Sequence, residues 1–224
     1  MSFTLPALSL LETRVLGVLV EKQHTVPDTY PMTLNALVSG CNQKTSRDPI
    51  IEAGDSDVQA TIDRLKTLSL IVESSGGRVM RYAHNVERVL QVPAQAVALL
   101  TVLMLRGPQT VGELRINSER LHRFADTSAV EGFLNELAAR PAGALVAELP
   151  RQPGARENRW THLLSGPPPE GAMAAMRTAE SGDDAVAISE LATLKANVLQ
   201  LREDVDALKA TVAKLCTELG VAGG

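Results

Sequence analysis

The sequence predicts a mainly α-helical α+β protein with two tandem winged-helix domains, each with a small β-wing, followed by a C-terminal coiled-coil helix. Three observations lead to this fold class. Two successive segments carry the pattern of three helices and a two-stranded hairpin, which is the order of a helix-turn-helix with a wing. Aromatic residues make up only 3% of the chain, so its cores must depend on aliphatic side chains, which favours helices. A heptad pattern of apolar residues then occupies the C-terminal region.

The first predicted domain, residues 1–90, begins with a capping box over residues 9–12, in which a serine and a glutamate satisfy backbone amides at a helix start. Apolar residues at helical spacing follow and define one buried face. A short helix is predicted around Leu37, and a second capping sequence at residues 56–59 begins the third helix. Two β-like runs on either side of residues 75–77 close the domain as a hairpin.

The second predicted domain, residues 91–166, repeats this plan. An apolar helix over residues 97–105 comes first, and capping boxes at 110–113 and 128–131 begin two further helices. Two β-like runs then flank a loop that contains Pro153-Gly154. The residues predicted to occupy corresponding positions in the two domains are Val58 with Val130, Ile62 with Leu134, Leu65 with Leu137, Arg81 with Arg159, and Tyr82 with Trp160.

The region after the second domain predicts a linker and a dimerising helix. Residues 167–183 are rich in proline, glycine, alanine and acidic residues, which is typical of a flexible linker. Residues 184–220 follow a heptad with leucine at d, and this pattern favours a parallel two-stranded homodimer. The predicted dimerisation residues are Leu191, Leu194, Val198, Leu201, Val205, Leu208, Val212, Leu215 and Leu219. The alternative is a single amphipathic helix that folds onto the domains.

Charge is unevenly distributed along the chain. Residues 1–166 carry 17 basic and 17 acidic side chains, whereas residues 167–224 carry 5 and 9 and therefore supply the whole net charge of −4. The two predicted domains lack the net positive charge that is typical of nucleic-acid-binding proteins. Any contact with nucleic acid must therefore come from local clusters of basic residues.

Several functional classes are disfavoured by the residue content. The longest apolar stretch, residues 97–105, is far shorter than the roughly 20 residues that span a bilayer. The N-terminus lacks the basic region of a signal peptide, so we expect a cytoplasmic protein without membrane contact. Cys41 and Cys216 form no CxxC motif, the four histidines lack metal-ligand spacing, and no nucleophile motif is present. We therefore expect no enzyme, no cofactor and no metal, and we expect Cys41 to be a small buried residue.

Basic side chains in the two hairpins and in a polar loop, residues 41–49, are the candidate nucleic-acid contacts. Wing arginines can follow a phosphate backbone or a minor groove, and the loop is longer than a helix-turn-helix requires. The candidates are Lys44, Arg47, Arg78, Arg81, Arg151, Arg156 and Arg159. Structural alternatives stay open. The hairpin arginines can be ordinary solubilising charges, while Asn42 caps the preceding helix and Arg47 pairs with Asp48 or Glu52.

Two functional hypotheses follow from these patterns. The first is a dimeric DNA-associated regulator that uses its wings and the polar loop. The second is a protein-binding adaptor or scaffold whose winged helices do not bind DNA. Wing arginines favour the first hypothesis, whereas acidic residues on the third helices, such as Glu131 and Glu136, would repel phosphate and favour the second. Fold alone does not decide between them.

Four strings of the sequence carry a family resemblance. They are Thr29-Tyr30-Pro31, Cys41-Asn-Gln-Lys-Thr-Ser-Arg-Asp-Pro49, Arg106-Gly-Pro-Gln-Thr-Val-Gly-Glu-Leu-Arg115, and the stretch from Pro153-Gly154 to His162-Leu-Leu-Ser-Gly166. They resemble the YceH family of uncharacterised bacterial proteins over about residues 5 to 166, and the acidic coiled-coil tail also has its counterpart there. The resemblance implies a tandem winged-helix fold and no established activity, so it supplies no catalytic residues.

Overall fold

The computed structural model describes residues 5–74, 79–151 and 154–167, which form a mainly helical structure with two small antiparallel hairpins. The first repeat comprises α1 (Leu10–Thr25), α2 (Leu34–Cys41), α3 (Asp55–Thr67), β1 (Ile71–Ser74) and β2 (Arg81–His84). A short connecting helix, α4 (Val86–Leu90), follows it. The second repeat comprises α5 (Ala94–Arg106), α6 (Val111–Asn117), α7 (Thr127–Ala138), β3 (Val146–Leu149) and β4 (Arg159–His162). The mainly helical α+β class is confirmed, and the element order is consistent with winged helices.

Some sequence predictions fall beyond these residues. The linker predicted for residues 167–183, apart from its first residue, and the coiled coil predicted for residues 184–220 lie outside the described residues. The boundary predicted between domains 1–90 and 91–166 stays a prediction. The sequence patterns missed α4, because five residues are too few to establish a helical period.

Each hairpin carries a third strand-like segment that the sequence patterns did not predict. Met32 and Tyr82 form an antiparallel bridge, with N–H···O distances of 2.8 and 3.0 Å between their backbones. Gln109 and Trp160 form the same bridge in the second repeat, at 2.7 and 3.0 Å. The predicted equivalence of the two hairpin aromatics is therefore confirmed, and each joins its hairpin to the segment that precedes the second helix of its repeat.

Helix starts follow the sequence signals in part. The capping boxes at Ser9 and Thr110 are both present. The predicted starts of the two third helices are wrong, because carboxylates rather than serine hydroxyls supply the capping acceptors. The Asp57 carboxylate accepts from the Gly54 amide at the start of α3, and Asp126 accepts from the Ala129 amide at the start of α7. A carboxylate also interacts favourably with the positive end of the helix dipole.

The hydrophobic core is continuous through both repeats, because α1 packs against α5. Residues 12–20 of α1 are buried on every side rather than on one face, as α2 and α3 cover one part of its surface and α5 covers another. The close approach depends on Gly17, where an added Cβ would lie 2.8 Å from the Leu105 side chain. The matched residues predicted to face the core of the two third helices, from Val58 to Leu137, are all buried.

Candidate nucleic-acid interface

The two matched wing arginines brace the hairpins instead of projecting freely. Arg81 Nη1 donates to the Pro31 carbonyl at 2.7 Å, and Arg159 Nη1 donates to the Pro108 carbonyl at 2.8 Å. Arg159 also forms an ion pair with Glu113 at 3.1 Å. Each arginine therefore ties its second strand to the segment before the second helix.

Arg47 is not a surface residue, and the structure removes it from the predicted contact set. Its side chain is fully buried and makes a two-pronged pair with Glu21 at 2.6 and 3.2 Å. Its Nε also donates to the Gly40 carbonyl at the end of α2. The carboxylate partners suggested by the sequence, Asp48 and Glu52, are both wrong, because the fold brings α1 closer to the guanidinium.

The polar loop, residues 41–49, is held from inside the first repeat. Arg14, fully buried on α1, donates to the carbonyls of Cys41 and Pro49 at 3.1 and 2.6 Å, near the two ends of the loop. Asn42 occupies the C-terminal cap position of α2, as predicted, and its side chain exchanges two hydrogen bonds with the Ala53 backbone. These contacts give the loop a structural role.

The same loop also contacts the second repeat. The Asp48 amide donates to the Leu105 carbonyl at 2.8 Å, and Arg106 Nη2 donates to Ser46 Oγ at 2.7 Å. Both contacts reach the C-terminal end of α5. Lys44 lies at the exposed part of the loop, without a hydrogen bond or ion pair to another described residue. The loop therefore joins the repeats and offers one exposed cation.

Burial controls the ionisation of the groups beside this loop. It raises the pKa of the Cys41 thiol to about 12, although the charges of Arg14 and Arg47 oppose the rise. Burial also lowers the pKa of Arg14, and the positive charge of Arg47 adds to this effect. Cys41 is therefore the small buried residue that the sequence predicted, and its thiol is poorly suited to nucleophilic chemistry at neutral pH.

The remaining wing candidates differ in what the structure describes. Arg151 and Arg156, in the loop between β3 and β4, are exposed and make no ion pair among the described residues. Arg78 lies outside the described residues. Lys44, Arg151 and Arg156 are thus the exposed members of the predicted set that make no hydrogen bond or ion pair with another described residue, whereas Arg81 is exposed but bonded to the Pro31 carbonyl.

A cluster that the sequence reasoning missed covers the last turn of α6 and part of the connection to α7, in residues 115–125, which we call the basic turn. It contains Arg115, Arg120 and Arg123 against a single acidic residue, Glu119, for a local charge of +2. All three arginines are exposed, and none forms an ion pair with another described residue. Arg115 Nη2 makes one hydrogen bond, to a carbonyl within the turn, at 3.2 Å. The spacing of the arginines was visible in the sequence, but their lack of partners was not.

The first repeat has no matching set of accessible arginines among its described residues. Arg64, on α3, pairs with Glu12 at 2.5 Å, and Lys66 pairs with Glu73 on β1. Arg47, in the segment that corresponds to the basic turn, is buried. The two repeats therefore share an element order but differ in how their basic side chains are used.

The family assignment comes from comparison with known proteins. A family model described as "Protein of unknown function, DUF480" matches residues 8–155, which is more than half of the chain. The chain belongs to this family. A DUF480 assignment agrees with the YceH-like strings of the sequence.

Curated relatives extend the similarity beyond the family model. The chain is 57% identical to a UPF0502 protein of Dechloromonas aromatica over 218 residues, which cover 97% of this chain and all of the relative. It is 56% identical to a UPF0502 protein of Burkholderia orbicola over 213 residues, which cover 94% of this chain and 89% of the relative. A Burkholderia multivorans protein is 57% identical over 94% of this chain and 88% of its own length.

The DUF480 chain also repeats a histidine in its hairpins. His84 ends β2 opposite Ile71, and His162 ends β4 opposite Val146. Burial lowers the pKa of both imidazoles to about 4, with a further contribution from His24 at His84. Within the described ranges, no three metal-ligating side chains lie close enough to hold an ion, and no helix combines the length and apolar character needed to cross a bilayer.

Proposed function

We propose that this DUF480 protein is a non-enzymatic, dimeric DNA-associated regulator that contacts the phosphate backbone through its basic turn. The observation that carries the proposal is the exposure of Arg115, Arg120 and Arg123 without a carboxylate partner among the described residues. Guanidinium groups bind phosphate oxygens through paired, charge-assisted hydrogen bonds. The heptad over residues 184–220 supports the dimer.

The element order supports the same proposal, because it gives the basic turn a position that suits DNA contact. We assign both repeats to the winged-helix fold, with α6 and α7 as the helix-turn-helix of the second repeat. In such proteins the second helix enters the major groove while the first crosses the backbone. A turn that joins these helices lies beside the phosphates, so its arginines can reach them.

Backbone contact is favoured over base readout at this surface. Glu131 and Glu136 are exposed on α7, and their charges oppose close approach to the phosphates that flank a major groove. Phosphate contacts position a protein but carry no sequence information directly. The proposed interface therefore comprises the basic turn, with Lys44, Arg151 and Arg156 as further contacts, and it gives weak binding to random duplex.

Salt titration of duplex binding by the full chain tests this proposal. Each neutralised phosphate contributes about −0.9 to the slope of log affinity against log salt. A dimer with two to four contacts per protomer should show a total slope of roughly −4 to −7. The variant R115Q/R120Q/R123Q should have a flatter slope and weaker binding to all duplex sequences alike.

A matched control separates the basic turn from general charge. The variant K22Q/K66Q/R88Q also removes three positive charges, but from residues outside the basic turn. Two of these residues, Lys22 and Lys66, pair with glutamates. This variant should keep a slope close to that of the wild type. If both variants lost the same duplex affinity and slope, the basic turn would not be a specific contact surface and the proposal would be overturned. Absence of wild-type binding at low salt would also overturn it.

A protein-binding adaptor is the second candidate function, and one observation favours it. Val72, Val79 and Met80, in and beside the first hairpin, are 46%, 59% and 42% exposed. Exposed apolar groups that lie together are a frequent feature of protein-binding surfaces. If the wild-type protein fails to bind duplex at low salt, this adaptor function becomes the leading proposal.

A further inference from the structure

A cleft of about 600 Å³ lies where the two repeats meet. The turns after α3 and α7 both contribute to its wall, together with α4, the segment before α1 and the chain after β4. Small-molecule sites are typically clefts of about 300–1,000 Å³ with mainly apolar linings. This cleft therefore has a suitable size for a small ligand, and both repeats would contact that ligand.

The wall of the cleft leaves apolar side chains partly open to solvent. Four apolar residues that line it are only half-buried, namely Leu5, Leu68, Val89 and Leu163. A ligand with an apolar body would remove this surface from water, at a gain of roughly 25 cal/mol per Å² covered. The apolar wall thus favours a hydrocarbon or aromatic group over a purely polar solute.

Arg140 gives the cleft its charge. It is the one charged side chain among the described residues that line the cleft. Its Nη2 donates to the Leu90 carbonyl at 2.6 Å, and it forms no ion pair with another described residue. A guanidinium has five N–H donors, so most of its hydrogen-bonding capacity remains for a partner.

We propose that this cleft binds a small apolar carboxylate, of the size of a medium-chain fatty acid, with its carboxylate on Arg140 and its apolar body against the wall. A carboxylate matches the planar fork of a guanidinium and can accept two parallel hydrogen bonds from it. The site does not depend on DNA binding. Since both repeats form the wall, an occupied cleft stabilises their packing against each other.

Decanoate, with decanol as its uncharged counterpart, is the probe for the full-length protein. Thermal unfolding should show a Tm that rises with decanoate concentration, by about 5–10 °C at a concentration 100 times the Kd. Titration calorimetry on the same protein should give a single class of sites for decanoate. Decanol has the same chain without the charge, so it should bind much more weakly.

Two variants test the two parts of the site. Arg140→Gln should weaken decanoate binding about 10- to 100-fold, as expected for loss of a charge-assisted pair, whereas Arg88→Gln, at an exposed arginine that does not line the cleft, should not. Ala144→Trp places a large side chain at an exposed position of the wall and should abolish binding by filling the cleft. The proposal is overturned if decanoate gives no rise in Tm and no saturable heat of binding, if decanol binds as tightly as decanoate, or if both cleft variants bind decanoate as the wild type does.

Discussion

Arg14 and Arg47 place two cations in the interior of the first repeat, and they lie close enough for the charge of one to lower the pKa of the other. A buried charge is costly unless hydrogen bonds and an opposite charge compensate for it. Backbone carbonyls of the polar loop and of α2 accept most of the guanidinium hydrogen bonds. Glu21 supplies the carboxylate that pairs with Arg47.

Replacing Glu21 with glutamine should therefore destabilise the protein. Burial alone would raise the pKa of Glu21, but the hydrogen bonds and charge of Arg47 outweigh it and lower the pKa, so the carboxylate is charged at neutral pH. The substitution leaves a buried guanidinium without its counter-charge. We expect a loss of roughly 3 kcal/mol in the free energy of unfolding, the low end for a broken buried pair because Glu21 stays 17% exposed. Urea denaturation at pH 7 measures it.

Glu52→Gln provides the matched control at the residue scale. Glu52 is exposed and close to Arg47 in sequence, which made it an expected partner, yet the structure places no ion pair between them. Its substitution should leave the urea midpoint unchanged. The assigned pair of Glu21 with Arg47 would be contradicted if both variants lost a similar free energy of unfolding, or if Glu21→Gln lost none.

The identity of this partner could not be predicted from sequence. Glu21 and Arg47 are 26 residues apart, and only the packing of α1 beside α2 brings them together. Sequence reasoning favours near neighbours, since local spacing is the one distance it can measure. The same limit applies to Arg81, whose proline acceptor lies 50 residues away.

At the scale of elements, predictions succeeded where a local signal determines the structure. Helical spacing and two capping boxes located α1, α2 and α6, because these patterns depend on residues within one or two turns. Serine was favoured over aspartate as the cap of α3 and α7, although both residue types serve there, and the side chains that actually cap belong to Asp57 and Asp126. The basic turn was readable as a sequence, but its exposure depends on packing of the whole second repeat.

The contact between α1 and α5 gives a prediction about one glycine. A Cβ at Gly17 would lie 2.8 Å from both Cγ and Cδ2 of Leu105, which is buried and whose carbonyl is held by the Asp48 amide. Alanine gains up to about 1 kcal/mol in a helix interior, but overpacking costs about 1–3 kcal/mol. Gly17→Ala should therefore lower the free energy of unfolding by about 1–2 kcal/mol, as measured by chemical denaturation.

Gly132→Ala is the control for this effect. Gly132 lies in the exposed part of α7, and no atom of the described structure comes within 4 Å of an added Cβ there. Helix propensity then acts alone, and the substitution should stabilise the protein by up to about 1 kcal/mol. If Gly17→Ala and Gly132→Ala both raised the free energy of unfolding, α1 and α5 would not be as closely packed as the structure has them.

For the whole molecule, the distribution of charge matters more than its total. Residues 1–166 have equal numbers of acidic and basic side chains, which by composition argues against nucleic acid. The fold changes this balance locally, because it pairs Arg47, Arg64 and Lys66 with glutamates while the arginines of the basic turn remain without such partners among the described residues. A neutral domain can therefore present a positive surface.

The predicted coiled coil offers a test of the proposed dimer by substitutions outside the described residues. Leu201 and Leu208 are predicted d positions, whereas Gln200 is a predicted outward position of the same helix. The variant L201D/L208D would place aspartates in the predicted seam of the coiled coil. Light scattering at tens of micromolar should therefore find a monomer for this variant and dimers for the wild type and Q200D.

Two linked binding surfaces gain affinity from their effective concentration. The monomeric variant should therefore bind duplex more weakly and show about half the wild-type salt slope, because it carries half the phosphate contacts. A wild-type monomer, or a variant that stays dimeric, would contradict the coiled-coil assignment. A monomeric variant with the full salt slope would place all phosphate contacts within one protomer.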